Sequence, residues 1–343
     1  MESFLKKHLN NNHCFLCGTS LTSKTRSDEH IIPAWLQKEH NLRDSRLTLL
    51  NHTSIPYRKL VIPCCTTCNN EPLSTMEKDV SRLLSGTFRK PTPHEEFRLF
   101  QWCSKILYGL LHREMMLLAD QRNNLAGSIV RKSFLENLTT FHHFMTSIRR
   151  PFSFVDFVPY SLFTVETLTF DDPKRNFDYL DFIVIGPKGG LTAVLVLAIR
   201  VQNFGVICIH NDNGYQKAHF QEEFDRYLGI PLHPIQFLEL ACKAAYKHSL
   251  LSFIPQYFSV ADEPINSEVR VFQTSFPKGE IWNKWVNNDY AHLFCSTASN
   301  SGFIVPEPDQ FYDGVMQHTW LDDGHGNPVR ITTNDEKTVL KEG

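Results

Sequence analysis

The sequence lacks the long apolar runs that mark membrane proteins. None of its apolar runs reaches the roughly 18 residues that a membrane-spanning helix needs. The N-terminal residues Met1–Lys7 lack the apolar core of a secretory signal, and the chain has no internal repeat or low-complexity tract. We therefore expect a cytoplasmic protein, in which nine cysteines favour metal binding or buried thiols over disulfides.

The chain also has little net charge, −2 over 343 residues, but this charge is divided unevenly. Residues 1–93 contain thirteen Lys or Arg and eight Asp or Glu, which gives a net charge of +5. The remaining residues contain twenty-two and twenty-nine, which gives −7. A basic N-terminal part suits a polyanionic partner such as nucleic acid.

Length and apolar periodicity predict an α+β protein of two domains. We expect a small module over residues 1–90, a Pro- and Gly-containing linker at its end, and a larger mixed α/β domain over residues 91–343 that begins with a helical segment. The predicted helices are Ser74–Ser85, His94–Asp120, Ser128–Ile148, Gln216–Leu228 and Pro234–His248. The predicted strands are Ser161–Phe170, Tyr179–Ile185, Leu191–Ile199 and Phe204–His210.

The most informative residues are two Cys-x-x-Cys pairs in the basic module. Cys14 and Cys17 form the first pair, and Cys65 and Cys68 form the second. Four thiolates in two such pairs can hold one tetrahedral structural zinc ion. Cys64 adjoins the second pair and is an alternative to Cys65, although the two-residue spacing favours Cys65.

Two short motifs accompany these cysteines. Glu29-His30-Ile31-Ile32-Pro33 lies between the pairs, and Asn69 follows Cys68 directly. Together they resemble the HNH endonuclease family, whose core carries a [Asp/Glu]-His-[Ile/Val]-x-Pro strand and a Cys-x-x-Cys-[Asn/His] knuckle that opens a helix. The resemblance covers about residues 12–85 and implies a zinc-stabilised ββα-metal (HNH) module.

The resemblance also implies roles for individual residues. His30 would be the general base that deprotonates the attacking water, a task that an imidazole suits near neutral pH. Asn69 would bind a catalytic divalent ion, with Glu29 as a second ligand, and Asn70 is an alternative to Asn69. Hard oxygen ligands favour Mg²⁺ or Mn²⁺ for this ion, which is separate from the structural zinc.

The resemblance therefore implies a metal-dependent endonuclease that hydrolyses phosphodiester bonds in DNA. A small nuclease module joined to a larger unlike domain is similar to bacterial restriction or anti-phage effectors, so residues 91–343 would bind a protein partner or a trigger. Two alternatives remain open from the sequence. They are a zinc-stabilised nucleic-acid-binding module without catalysis and an RNA-cleaving toxin.

One departure from the family pattern favours the binding module. The family often has an asparagine shortly before the second knuckle, but residues Arg58–Pro63 contain none, and Asn51 lies further upstream.

Overall fold

A computed structural model gives the architecture of the chain, and it contains both helices and strands, as the α+β prediction requires. It describes residues 8, 10–49, 53–118, 120, 122–123, 125, 127, 141–169, 179–186, 194–253, 255–261, 268–311 and 319–332. The chain divides into two compact units. No helix in these ranges is long and apolar enough to span a membrane.

The first unit contains residues 1–83, 92–156 and 257–272. Its centre is an antiparallel pair of strands, β1 (Arg26–His30) and β4 (Val61–Cys65), with Arg26 opposite Cys65 and His30 opposite Val61. The chain between them forms helix α1 (Ala34–Glu39), strands β2 (Arg46–Thr48) and β3 (Ser54–Pro56), and a 3-10 turn at Tyr57–Lys59.

A helical run follows β4 directly. It comprises α2 (Thr66–Cys68), a π-helical turn at Asn69–Leu73 and α3 (Ser74–Leu84). The wide turn contains Pro72, which cannot donate the usual helical hydrogen bond. Met76 and Val80 of α3 are buried, as the apolar spacing of the sequence predicts.

The long helix α4 (Pro93–Met115) starts at a capping box. The Thr92 hydroxyl accepts the Glu95 backbone N–H, the Glu95 carboxylate accepts the Thr92 N–H, and Pro93 occupies the first helical position. A 3-10 turn (Thr146–Ile148) and three strands complete the described part of this unit. The strands are β5 (Phe152–Val155), β10 (Tyr257–Ala261) and β11 (Val269–Gln273), in the order β10-β11-β5.

Helix α4 packs closely against the chain just after β1. A Cβ atom on Gly109 would lie 2.9 Å from Cγ1 of Ile31, so glycine at this position permits the close approach of helix and chain. Because of this packing, α4 is part of the same compact unit as β1 and β4. The unit boundaries therefore differ from the predicted division after residue 90, which placed α4 in the second domain.

The second unit contains residues 84–91, 157–256 and 273–343. Its antiparallel sheet has the order β6-β9-β8-β7, formed by β6 (Tyr160–Glu166), β7 (Tyr179–Gly186), β8 (Val194–Val201) and β9 (Phe204–His210). Four helices accompany it in the described ranges: α5 (Tyr215–Asp225), α6 (Pro234–Ser249), α7 (Asn287–Asn300) and α8 (Pro308–Phe311). Apolar side chains of β8, β9, α6 and α7 form its core.

Most of the predicted elements are confirmed. The four strands, the helices at Ser74–Ser85, Gln216–Leu228 and Pro234–His248, and the long helix after residue 93 all form, with shifted ends. The predicted helix Ser128–Ile148 is seen only as helical residues 141–145 and the 3-10 turn, because residues 128–140 lie outside the described ranges.

Gly109 gives the first testable prediction. Replacement by alanine improves intrinsic helix propensity by about 1 kcal/mol, but the new methyl group overpacks the contact with buried Ile31 at a cost of about 1–3 kcal/mol. We expect Gly109→Ala to lower the free energy of unfolding in urea by about 1 kcal/mol. Gly279→Ala is the control, because an added Cβ meets nothing within 4 Å there. A Gly109→Ala variant as stable as the wild type would contradict the close contact.

Candidate functional site

The first cysteine knuckle is a tight turn stabilised by its own backbone. The N–H of Gly18 donates to the carbonyl of Cys14 at 2.8 Å, and Gly18 has φ +71°, a left-handed conformation that favours glycine. An added Cβ there would also lie 2.9 Å from the imidazole of His8. The Cys17 sulfur lies 3.1 Å from the hydroxyl of Thr19.

The second knuckle joins strand β4 to the helical run. Cys65 is the last residue of β4 and caps the helix that follows, because its sulfur accepts the N–H of Cys68 at 3.4 Å. Since Cys65 lies opposite Arg26, the knuckle is at one end of the β1–β4 pair. The sequence thus places both sulfurs at the junction of a strand and a helix.

The two knuckles bring four sulfur atoms together. The Sγ atoms of Cys14, Cys17, Cys65 and Cys68 all lie within 4.8 Å of one another. A zinc–sulfur bond of about 2.3 Å in a tetrahedron requires sulfurs about 3.8 Å apart, and the Cys17 and Cys65 sulfurs are 3.8 Å apart. The group can hold a metal ion such as zinc. It contains Cys65 and not Cys64, whose sulfur approaches Cys14 at 3.9 Å.

The protonation of these thiols reflects their crowding. Hydrogen bonds from Cys17, Cys64 and Cys68 hold the pKa of Cys14 far below its usual value, which favours its thiolate form. Hydrogen bonding to Cys14 and Cys17, together with burial, raises the pKa of Cys68. Zinc binds cysteine as the thiolate, so a divalent cation in this group would favour the ionised form of its thiols.

The choice between Cys64 and Cys65 is testable. We expect Cys65→Ser to lose most of the bound zinc, because it removes one of four sulfurs from the group, whereas Cys64→Ser retains about one zinc per chain. The measurement is zinc content by elemental analysis after dialysis against a moderate chelator. Loss of zinc from Cys64→Ser with retention in Cys65→Ser would reverse the assignment.

Strand β1 carries the acidic residue and the histidine of the HNH-like motif on opposite faces. The side chains of Arg26 and Asp28 pair at 3.4 Å on the exposed face. Because strand residues alternate, His30 shares this face, while Ser27 and Glu29 point to the other. Glu29 is buried and His30 is half-buried, in agreement with this alternation.

The carboxylate of Glu29 is engaged by a buried lysine on α4. The Lys105 ammonium forms ion pairs with Glu29 and with Glu77, the latter at 2.8 Å. It also donates to the backbone carbonyls of His30 and Ile31. The Lys105 side chain is completely inaccessible to solvent. We call these groups the Lys105 cluster, in which four oxygen atoms surround a single positive charge.

The cluster retains its charge despite its burial. Burial alone would lower the pKa of Lys105, but the attraction of Glu29 and Glu77 outweighs it and raises the pKa to about 12. Burial raises the pKa of Glu29, against the opposing pull of Lys105. A divalent ion that took Glu29 as a ligand would have to displace this ammonium. Glu29 is therefore placed as a structural partner of α4, and its predicted role as a metal ligand stays a prediction.

His30 lies at the other end of β1 from the knuckles. Burial lowers its pKa below the ordinary 6.5, and the Lys105 ammonium lowers it further. The imidazole is therefore neutral at pH 7, which is the form that a general base requires.

Asn69 follows the second knuckle, where the π turn begins. Its amide nitrogen donates to the hydroxyl of Ser27 at 2.8 Å, so this hydrogen bond does not use the amide oxygen. Ser27 and His30 are separated by three residues of strand, about 10 Å along the chain. The contact therefore attaches Asn69 to the face of β1 opposite His30, and the two predicted site residues approach the strand from different sides.

The described residues do not supply a second group of metal ligands like the cysteines. Among them, only Cys14, Cys17, Cys65 and Cys68 form a set of three or more His, Cys, Asp or Glu side chains close enough to share an ion. A catalytic ion would thus depend on Asn69, substrate oxygens and water, a mode of binding that Mg²⁺ commonly adopts. Asn51 lies outside the described residues.

Sequence reasoning missed the residues that brace the site. Lys105 is the single charged residue in the apolar stretch Leu99–Leu111, and a lone charge there is a sign of a buried partner. His142 is buried and donates to the carbonyl of Phe15 in the first knuckle at 2.8 Å. No feature of the sequence near His142 indicates that contact, because its partner is 127 residues away.

Comparison with protein-family profiles, with curated proteins and with solved structures gave no match to this chain.

The Lys105 cluster gives a stability prediction. Lys105→Met removes the ammonium and leaves two carboxylates near the protein interior without a counter-ion, which costs about 3–5 kcal/mol for a buried pair. We expect the free energy of unfolding in urea to fall by that amount in Lys105→Met, and to recover partly in the double variant that also carries Glu29→Gln. Lys78→Met is the control, since Lys78 is an exposed neighbour of Glu77 on α3. Equal effects of the two lysine variants would show that the cluster contributes no stability.

Proposed function

We propose that the protein is a metal-dependent endonuclease that hydrolyses phosphodiester bonds in DNA. The observation that carries the proposal is a neutral, half-buried His30 on β1. Its partner strand β4 leads through the four-thiol group into the helical run that contains Asn69. The HNH-like order of strand, strand and helix supports it, as does the basic charge of residues 1–93.

In this proposal each residue has one task. The four cysteines hold a zinc ion that keeps β4 and the helical run in place. His30 accepts the proton of the attacking water through its neutral imidazole. A divalent ion bound when substrate is present, Mg²⁺ or Mn²⁺, would neutralise charge on the scissile phosphate, with Asn69 as its protein ligand. Glu29 acts through Lys105 and fixes the strand that carries His30.

A bacterial restriction or anti-phage role is part of the proposal, with the second unit binding a trigger or a protein partner. Its support is the combination of a small HNH-like module with a larger unlike unit. Cleavage has to be demonstrated first, since regulation presupposes an activity to regulate. A pull-down with a purified candidate partner then tests this role.

A second candidate function is a zinc-stabilised nucleic-acid-binding module without catalysis. The engagement of Glu29 by Lys105 favours it, because this removes the carboxylate that the resemblance offers as a ligand of the catalytic ion. The two candidates differ in one measurable property. A catalytic module cleaves when Mg²⁺ or Mn²⁺ is added, whereas a binding module shifts the mobility of nucleic acid and leaves it intact.

The decisive experiment compares His30→Ala with the wild type on plasmid DNA, single-stranded DNA and RNA across a panel of divalent ions. Removal of a general base lowers the rate by about 10²–10⁴, so we expect that loss for His30→Ala and no change for His94→Ala, which alters an exposed histidine. Both variants should retain zinc. Cleavage of RNA alone would establish the ribonuclease alternative, and equal cleavage by both variants would remove His30 from the mechanism.

The pH dependence of the same reaction tests the state of His30. Burial lowers the pKa of His30 below 6.5, so the basic form is lost only as the pH falls through that lowered value. We expect cleavage to be constant near pH 7 and to fall on the acid side with a midpoint below pH 6.5. An acid limb centred above pH 7 would contradict the neutral imidazole.

A further inference from the structure

A second feature of the first unit is a cavity beside the second knuckle. It has a volume of about 400 Å³ and adjoins Cys68, the residue before Asn69. The polar side chains that line it are Thr67, Glu71, Thr75, Arg98 and Arg149. A volume of this size lies within the range of about 300–1,000 Å³ that is usual for ligand sites.

The lining carries two positive charges and one negative charge. The guanidinium groups come from different elements, Arg98 from α4 and Arg149 from the end of the 3-10 turn. Glu71 carries the carboxylate. Thr67, Glu71 and Thr75 are four residues apart and so share one side of the helical run. The Thr75 hydroxyl donates to the carbonyl of Glu71 at 2.8 Å, which leaves Thr67 as the hydroxyl donor to a ligand.

Arg98 is held in place before any ligand arrives. Its Nη1 donates to the side chain of Gln101 at 2.9 Å, and its Nε lies 3.5 Å from the carboxylate of Asp79. Gln101 in turn donates to Ser147 at 3.0 Å, in the turn that leads to Arg149. The network therefore fixes the two elements that carry the arginines. A guanidinium has five N–H donors, so these two contacts leave Arg98 donors for a phosphate.

We propose that this cavity, beside the second knuckle, binds a backbone phosphate of the nucleic-acid substrate through Arg98 and Arg149. The inference rests on the proposed function for the identity of the ligand. Two guanidinium forks and one hydroxyl match the oxygen atoms of a phosphate. Glu71 opposes the bound anion and keeps non-specific affinity low.

The experiment measures binding without cleavage. Full-length zinc-loaded protein is titrated into fluorescently labelled duplex DNA without added divalent ion, from about 50 to about 200 mM salt, and anisotropy is recorded. We expect Arg149→Gln to weaken binding about five- to tenfold and to reduce the salt slope by about 1, as the loss of one phosphate contact requires. Arg98→Gln should have a similar effect.

Two further variants sharpen the test. Arg82→Gln is the matched control, because Arg82 also pairs with Asp79 at 3.5 Å but is 79% exposed and does not line the cavity. We expect its affinity to stay within about twofold of the wild type. Glu71→Gln should bind DNA more tightly than the wild type, because it removes a like charge from the phosphate site.

The outcomes separate the cavity from the proposed function. If the wild type binds DNA and Arg149→Gln binds equally well with an unchanged salt slope, the cavity is not a phosphate site, and the nuclease proposal is unaffected. Weaker binding by Glu71→Gln would also overturn the inference, since it indicates a cationic ligand. If inorganic phosphate saturates the wild type at micromolar concentration without displacing DNA, the site serves a free phosphate and the inference fails. A wild type that binds neither DNA nor RNA overturns both proposals.

Discussion

The first unit depends on a positive charge buried where no solvent can reach it. Lys105 makes ion pairs with Glu29 and Glu77 and donates hydrogen bonds to the backbone carbonyls of His30 and Ile31, at the end of β1 and just after it. A buried ammonium is tolerated only when such partners replace its hydration. The dependence is mutual. The buried Lys105 ammonium is stable only when β1 and α3 supply Glu29 and Glu77, and the buried Glu29 carboxylate is stable only when Lys105 neutralises it.

This interaction and the thiol group hold opposite ends of the same short pair of strands. Arg26 lies opposite Cys65 at the end beside the knuckles, and His30 lies opposite Val61 at the end beside Lys105. An isolated two-stranded sheet is marginally stable in water. With one end attached to the group of four thiols and the other to α4, the pair gains a fixed geometry, and Gly109 permits the helix to approach closely enough for the second attachment.

The sequence predicted what is local and failed where a partner lies far along the chain. The two Cys-x-x-Cys pairs identified the four sulfurs because spacing and glycine chemistry act within a few residues. The apolar periodicity gave most helices and strands for the same reason. The role of Glu29 could not be predicted this way, because its ion-pair partner Lys105 lies far along the chain. Lys105 also binds the carbonyl of the neighbouring His30, 75 residues away in the sequence. The predicted domain boundary followed a proline-containing linker after residue 90, whereas the compact units group α4 with β1 and β4.

The charge of Lys105 also limits how this scaffold can bind a catalytic ion. Withdrawing Glu29 from a buried pair costs about 3–5 kcal/mol, and each 1.4 kcal/mol is a factor of ten in affinity. An ion that required Glu29 would thus bind about two to four powers of ten more weakly than one that left the pair intact. In the proposed mechanism, an ion at Asn69 would take its remaining ligands from phosphate and water, so the electrostatics would favour an ion that arrives with the substrate. In that mechanism Arg98 and Arg149 of the cavity would hold the substrate, and the ion would neutralise the phosphate to be cleaved. Lys105 would serve only to keep the strand of His30 in position.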